Sequence, residues 1–188
     1  MTEELLYLWF GMISRMTHTV KMNVAMKYGG IRGLWNTSEE QLRDELTQAQ
    51  ADGFLEHRDA GKVAAYAEEL RRNDITYIYP GHKLYPGKLY DIPDPPMLLF
   101  AAGDVDVLAD LDPAVAVVGA RKASVYGREA ADRLSGELAA SGVTIVSGMA
   151  LGIDGAAHRA AMKAGGKTVA VLGSGINVPY PRENYDIY

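Results

Sequence analysis

The stretch that decides the fold is Val115-Ala116-Val117-Val118-Gly119, a short and mostly β-branched apolar run that a glycine closes. The same design returns at residues 143–148 and again at residues 168–173. Runs of this length and composition are typical of strands that are buried on both faces. We therefore expect three buried strands in the last 75 or so residues, on the basis of strand lengths of a few residues each.

Helical patterns separate the three runs, over residues 127–140 and 155–164. The order strand, helix, strand, helix, strand predicts an α/β fold with a doubly wound, mainly parallel sheet and right-handed crossovers. Ligands of such sheets bind beyond the carboxyl ends of the strands. Here those ends carry three glycine-containing loops, at residues 119–122, 147–152 and 173–175.

These loops resemble the DNA-processing protein A family, also called DprA or Smf. Val118-Gly119-Ala120-Arg121-Lys122 is similar to the family's V-G-S-R loop, and residues 147–158 (SGMALGIDGAAH) are similar to its S-G-x-A-x-G-I-D-x-A-A-H block. The resemblance is strong from about residue 77 to residue 188. The remaining elements of the pattern are Gly165-Gly166-Lys167-Thr168, Gly173-Ser174-Gly175, Tyr180-Pro181 and Asn184.

The resemblance implies a helical, SAM-like domain over residues 1–72 and an extended Rossmann-like DNA-binding domain over residues 73–188. It further implies a single-stranded DNA-binding protein of DNA uptake, natural transformation and recombination. Such a protein protects incoming DNA and helps to load a RecA-type recombinase. The implied partners are single-stranded DNA, that recombinase and, in a full-length protein, a second copy of the chain. No catalytic activity and no cofactor are expected.

Arg121 is the first candidate for a DNA contact, since a guanidinium two residues after a strand can bind phosphate beside the free amides of the next helix. Gly148 and Gly152 bracket a tight loop, and glycine lets the backbone approach a ligand closely. Leu151 stands where many relatives have lysine or arginine, which removes one candidate phosphate contact. The residues predicted to contact DNA are Gly119, Arg121, Lys122, Ser147, Gly148, Gly152, Gly173, Gly175 and Arg182.

Other polar and aromatic residues in this region have structural explanations. Asp154 is expected to be the N-cap of the second helix, and His158 is expected to be an ordinary packed or exposed side chain. Three tyrosines allow two interpretations, because they can stack on bases as in other single-strand binders or lie buried in the core. They are Tyr126, Tyr180 and Tyr185.

Residues 1–72 show four helical patterns, and Thr37 with Glu40 fits a capping box at the start of the third. Relatives often have a G-x-G hairpin that contacts DNA backbone in this module; residues 11–15 lie near that place but lack the second glycine. Residues 75–79 and 97–101 are predicted strands that, in the family, extend the sheet.

Composition agrees with a globular protein. The chain has 188 residues, 48% of them hydrophobic, and no cysteine, which excludes disulfides and thiolate metal sites. Residues 1–114 hold 11 basic and 18 acidic residues, whereas residues 115–188 hold 8 and 6. That balance favours a local phosphate site over a broad basic face. The sequence shows no signal peptide and no membrane span, so a cytoplasmic location is expected.

The chain ends shortly after the third predicted strand, which would leave a poorly covered sheet edge and indicates a fragment of a longer protein. A nucleotide-binding enzyme is the main alternative function. A dinucleotide site needs G-x-G-x-x-G after the first strand, and that loop is absent. The lysine-decarboxylase-like phosphoribohydrolases are a closer alternative, although their P-G-G-x-G-T-x-x-E signature does not occur in these residues. A protein-interaction scaffold is the third.

Overall fold

The structure is a computed structural model that describes residues 1–13 and 16–188. It divides into two compact units, Met1–Ala109 and Asp110–Tyr188. The expected hairpin at residues 11–15 falls partly on Ser14 and Arg15, which lie outside the described residues. The predicted domain boundary near residue 72 stays a prediction. By contacts, residues 73–109 belong to the first compact unit.

The described part of residues 1–72 contains six α-helices, where the sequence pattern predicted four. The two helices that were not predicted are Ile31–Asn36, which begins after Gly30 without a side-chain cap, and Gln48–Glu56, which Thr47 begins by accepting a hydrogen bond from the Gln50 backbone N–H. Ser38, not Thr37, caps the fourth helix. The helices are α1 (Glu3–Met12), α2 (His18–Lys27), α3 (Ile31–Asn36), α4 (Glu39–Glu45), α5 (Gln48–Glu56) and α6 (Ala60–Arg72).

Aromatic side chains form the centre of the first unit's core. Trp9, Phe10 and Phe54 are fully buried, and the Trp9 and Trp35 rings meet edge to face with centroids 4.9 Å apart. Large aromatic surfaces contribute most of the burial in a core of this size. The short helices are therefore held by tertiary packing and by their caps.

Two short strands close the first unit, β1 (Thr76–Ile78) and β2 (Leu99–Ala101), and they pair antiparallel. They were expected to extend the parallel sheet. In the structure they form a separate two-stranded sheet, so that expectation is wrong for the described residues.

The second unit has the predicted alternation of strands and helices. It runs β3 (Ala114–Ala116), α7 (Val125–Ala140), β4 (Thr144–Ser147), α8 (Ile153–Lys163) and β5 (Thr168–Ala170), and it ends in a 3-10 segment, Arg182–Ile187. The three strands are parallel in the order β3-β4-β5. This confirms the predicted α/β class with a parallel sheet. The carboxyl ends of all three strands lie at one edge.

Burial of the strands on both faces was predicted, and it holds best for the central strand β4. Ile145 is fully buried against Ala139, Ala157 and Ala161 of the two helices. In contrast, Val118 and Val171, just after the outer strands, are 70% and 64% exposed. Apolar composition indicates that a strand is suited to burial, but it does not identify the neighbours that cover the strand.

Candidate nucleic-acid interface

The first two carboxyl-end loops are in direct backbone contact. Gly152 has a φ of +80°, and a Cβ added there would lie 2.2 Å from the Ala120 carbonyl oxygen and 2.6 Å from that of Arg121. The backbone N–H of Ile153 donates to the Ala120 oxygen at 3.3 Å. Only glycine can lie this close to those backbone atoms. Gly152 therefore lets the loop after β4 pack directly against the loop after β3.

Gly119 likewise allows the first loop to pack closely against the start of α8. A Cβ added there would lie 2.6 Å from Cγ1 of Ile153, at the start of α8. Gly119 and Gly152 were both predicted to contact DNA, and for Gly152 the expected role was to let the backbone approach the ligand. In the structure, protein atoms occupy the space beside both residues, and direct contact of these two glycines with DNA stays a prediction.

The loop contact determines where the backbone donors of the first loop point. The carbonyl oxygens of Ala120 and Arg121 lie against Gly152. In a planar trans peptide the N–H points away from the carbonyl oxygen, so the N–H groups of Arg121 and Lys122 point away from α8. Neither N–H has a hydrogen-bond acceptor in the described part of the chain. Two neighbouring free N–H groups beside a basic side chain form an anion-binding arrangement.

Asp154 holds the second loop and does not cap its own helix. The N-cap of α8 is Gly152, and Asp154 lies in the first turn. Its carboxylate accepts hydrogen bonds from the backbone N–H groups of Gly148 at 3.1 Å and Ala150 at 3.4 Å. The predicted N-cap role is therefore wrong. The carboxylate instead stabilises the turn around Met149, a non-glycine residue with a φ of +60°.

Asn184 holds the same loop from another side. Its amide is buried and donates to the carbonyl oxygens of Met149 at 2.7 Å and Ala150 at 3.1 Å. Sequence analysis identified Asn184 as part of a motif but assigned it no role. The available signal was its place in that motif, because the two partners lie 35 and 34 residues earlier in the chain.

Ser147 was predicted to contact DNA, and the structure places its side chain inside the sheet. Ser147 is 3% exposed, and its hydroxyl donates to the carbonyl oxygen of Val117 at 2.6 Å. That bond connects β4 to the residue following β3. The observed contribution of the Ser147 hydroxyl is therefore to the position of the loop, and a contact of Ser147 with DNA stays a prediction.

Basic side chains lie beside the free N–H groups. Arg121 and Lys122 are exposed, and neither forms an ion pair with the residues that the structure describes. Arg121 also lines a cavity of about 590 Å³ between α7 and α8. The charged residues that share this cavity are of both signs, namely Arg128, Arg159, Glu129, Asp132 and Glu183.

Arg159 is already neutralised within this cavity. Its Nε and Nη2 donate to the two carboxylate oxygens of Asp186 at 2.8 and 2.6 Å. Bidentate pairing of this kind is among the stronger charged hydrogen bonds. The bond to Asp186 raises the pKa of Arg159 and outweighs burial, which lowers it. Arg128, which lines the same cavity, donates to the Ala123 carbonyl oxygen at 2.7 Å and forms no ion pair with the residues that the structure describes. The unpaired positive charge here therefore comes from Arg121, Lys122 and Arg128.

The third loop is open. A Cβ added at Gly173 would have no atom within 4 Å, whereas one at Gly175 would lie 3.1 Å from Oδ1 of Asn177. The Ser174 hydroxyl donates to the Val178 carbonyl oxygen at 3.1 Å, which closes the turn. Arg182, at the start of the last 3-10 segment, is exposed. These positions are accessible, and their contact with DNA stays a prediction.

The three candidate stacking residues are at the surface. Tyr126 is 79% exposed, Tyr180 63% and Tyr185 57%. Sequence reasoning left open whether they lie in the core, and the structure excludes the core for all three. Exposed aromatic rings beside a phosphate site are available to stack on unpaired bases.

His158 is buried and has no role at the edge. Its Nδ1 lies 2.7 Å from Oγ1 of Thr168, and that hydroxyl donates to the Ile145 carbonyl oxygen, so the imidazole Nδ1–H must donate. Its Nε2 is buried without a partner among the described residues. Burial lowers the pKa of His158, against a smaller opposing effect of Asp154. This agrees with the expected packed side chain.

The described residues contain neither a metal-binding cluster nor a membrane-spanning helix. No three histidine, cysteine, aspartate or glutamate side chains are grouped so that they could hold a metal ion. None of the described helices is both long enough and apolar enough to cross a membrane.

Residues 76–188 match the family model described as DNA recombination-mediator protein A. The chain is 40% identical over 125 residues to the DNA processing protein DprA of Bacillus subtilis, covering 66% of this chain and 40% of that protein. It is 42% identical over 135 residues to the protein Smf of Escherichia coli, covering 68% and 36%. The chain thus spans at most two fifths of the length of these curated relatives.

Solved structures give the same likeness. An X-ray structure of DprA from Streptococcus pneumoniae matches with a TM-score of 0.69 and 28% identity, over 96% of this chain and 60% of that one. A second structure, of DNA processing protein A from Helicobacter pylori, concerns the single-stranded DNA-binding mode of that protein. It matches with a TM-score of 0.53 and 30% identity, over 60% of this chain and 49% of that one.

Proposed function

This chain belongs to the DNA recombination-mediator protein A family, and from that premise we propose that it binds single-stranded DNA at the carboxyl-end loops of its parallel sheet. One observation carries the proposal. The backbone N–H groups of Arg121 and Lys122 point away from α8, have no acceptor among the described residues and lie beside two unpaired basic side chains. That combination suits a phosphate, because N–H donors and a guanidinium both stabilise its charge.

The binding is of the phosphate backbone and therefore independent of sequence. Arg121 binds a phosphate oxygen through its guanidinium, and the adjacent N–H groups donate to the same phosphate. Lys122, Arg182 and the open turn at Gly173 extend the contact to neighbouring nucleotides. The exposed rings of Tyr126, Tyr180 and Tyr185 stack on unpaired bases, which favours a single strand over a duplex.

The biological role that we propose is in DNA uptake and recombination. The chain protects incoming single strands in the cytoplasm and helps to transfer them to a RecA-type recombinase, without catalysis or a cofactor of its own. In its full-length form the protein acts as a homodimer. Support comes from the family and from the Helicobacter pylori relative, whose structure concerns single-strand binding.

Fluorescence anisotropy of a labelled oligo-dT and of a duplex of equal length tests this function. We expect the chain to prefer the single strand and its affinity to fall as salt rises. Arg121→Ala removes one phosphate contact, so the slope of log affinity against log salt should become shallower by about 0.7. Arg133→Ala is the matched control, because Arg133 is an exposed arginine in the middle of α7.

Equal affinity of Arg121→Ala and the unchanged chain, with matching melting curves, would remove Arg121 from the site. Binding that prefers the duplex, or that ignores salt, would contradict the function as a whole.

A further inference from the structure

Asn184 makes contacts that belong to the second loop and not to its own segment. We propose that Asn184 is a positioning residue that fixes the loop of residues 148–152, and with it the direction of the free Leu151 N–H group, for phosphate binding. This inference rests on the proposed function and deepens it. It assigns a role to a buried side chain that does not itself contact DNA.

The Asn184 amide uses both of its N–H donors on one side of the loop. Nδ2 donates to Met149 and Ala150 carbonyl oxygens, and Oδ1 accepts from Nη2 of Arg159 at 3.0 Å. Gly155 leaves the space for it, because a Cβ there would lie 2.8 Å from Oδ1 of Asn184. Asn184 is 3% exposed, so these bonds are shielded from water.

Asp154 completes the arrangement. Its carboxylate accepts hydrogen bonds from N–H groups of the loop, whereas the Asn184 amide donates to carbonyl oxygens of the loop. The N–H groups are those of Gly148 and Ala150. Met149 lies between these contacts in the left-handed region that non-glycine residues rarely adopt. The two side chains together determine the direction of the peptide plane that joins residues 149 and 150, and Asn184 also binds the one that joins residues 150 and 151.

The N–H groups that remain are those of Met149, Leu151 and Gly152. None of the three has an acceptor in the part of the chain that the structure describes. The Ala150 carbonyl oxygen faces Asn184 and α8, so the N–H of Leu151 in the same peptide points away from them. This N–H is therefore a free donor whose direction Asn184 fixes.

Arg159 supports Asn184 and is not free to bind phosphate. Besides its pair with Asp186, its Nη2 donates to the Glu183 carbonyl oxygen at 2.8 Å. These bonds hold the last 3-10 segment against α8 and keep Asn184 in place. Although Arg159 lines the cavity beside Arg121, its contribution to DNA binding is therefore indirect.

Two substitutions of Asn184 test the proposal. Asn184→Ala removes the amide, and Asn184→Asp keeps the shape but places an acceptor against two carbonyl oxygens. We expect both to bind oligo-dT roughly tenfold more weakly, since one charge-assisted hydrogen bond to phosphate is lost. The salt slope should stay that of the unchanged chain, because no basic side chain is removed. Asn23→Asp, at an exposed position, is the control for added charge.

Amide hydrogen exchange provides a reading that does not depend on DNA. In the unchanged chain the N–H groups of Gly148 and Ala150 are bonded to Asp154. If Asn184 positions the loop, both should exchange faster in Asn184→Ala, while amides in β4 should not change. Where Asn184→Ala does not fold, Asp186→Asn weakens the same support from an exposed position and should shift both readings in the same direction.

The outcomes separate this inference from the proposed function. Faster exchange with weaker binding and an unchanged slope supports it. Asn184→Ala with normal exchange and normal affinity overturns it, as does weak binding confined to Asn184→Asp, which would indicate charge repulsion. If the unchanged chain binds no oligo-dT, the proposed function fails, and the exchange rates alone decide whether Asn184 positions the loop.

Discussion

Replacing Gly152 by alanine tests the contact between the first two loops. The new Cβ would lie 2.2 Å from the Ala120 carbonyl oxygen, 2.6 Å from that of Arg121 and 2.9 Å from the Arg121 carbonyl carbon. All three are backbone atoms, so no side chain can rotate to make room. The substitution must therefore separate the loops or distort both of them.

The cost follows from two contributions. A non-glycine residue at φ +80° and ψ −119° is strained, and such strain costs about 1–3 kcal/mol. Overpacking against fixed atoms costs a further ~1–3 kcal/mol. The sum, about 2–6 kcal/mol, is a large part of the ~5–15 kcal/mol that stabilises a typical domain. At the lower end the melting temperature of the second unit should fall by about 8 °C.

Gly173→Ala is the matched control. Gly173 was predicted to have the same role in the third loop, yet its added Cβ would have no atom within 4 Å and its φ is not in the left-handed region. Its stability should change by less than ~0.5 kcal/mol. Calorimetry and circular dichroism of the three chains measure the difference. A Gly152→Ala chain that melts with the unchanged chain would refute the loop contact.

Two further predictions concern buried polar groups. Because burial lowers the pKa of His158, the unfolded state binds more protons below its ordinary pKa of about 6.5. Stability should therefore be at its plateau above that pH and fall below it. Urea unfolding at pH 5 and pH 7.5 should show a smaller loss of unfolding free energy in His158→Gln than in the unchanged chain. An equal loss in both chains would contradict this. In the first unit, Lys21→Met removes donors to the Phe10 and Ile13 carbonyl oxygens at 3.2 and 2.9 Å. The substitution should lower the free energy of unfolding by about 1–3 kcal/mol, whereas the control Lys62→Met, at an exposed lysine, should not. Equal denaturation midpoints for the two variants would argue against the role of Lys21.

The parallel sheet could be predicted from the sequence because its signal is local. Each strand is a short apolar run closed by a glycine, and the helical period between the runs determines the crossover. Short helices in the first unit were harder to separate. α3 has only six residues and no side-chain cap, and α5 begins at a threonine cap, Thr47, which is a weaker signal than an apolar stripe.

The site was only partly predictable. Arg121, Lys122 and the three loops follow from the position of strand ends, and the structure places them at one edge. The roles of Asp154 and Asn184 depend on where the loop after β4 folds back, and Asn184 reaches it from 35 residues away. Ser147 shows the same limit, since a residue at a strand end can point either into the sheet or out of it.

The most direct test of the central claim is an NMR titration of the isotope-labelled chain with oligo-dT, following each backbone N–H. Binding at the carboxyl-end loops predicts the largest shifts at Arg121, Lys122, Met149, Leu151 and Gly152, with smaller ones at Gly173. Saturable shifts confined to these loops would establish the site. Shifts centred on the helices of the first unit, with these N–H signals unchanged, would contradict it.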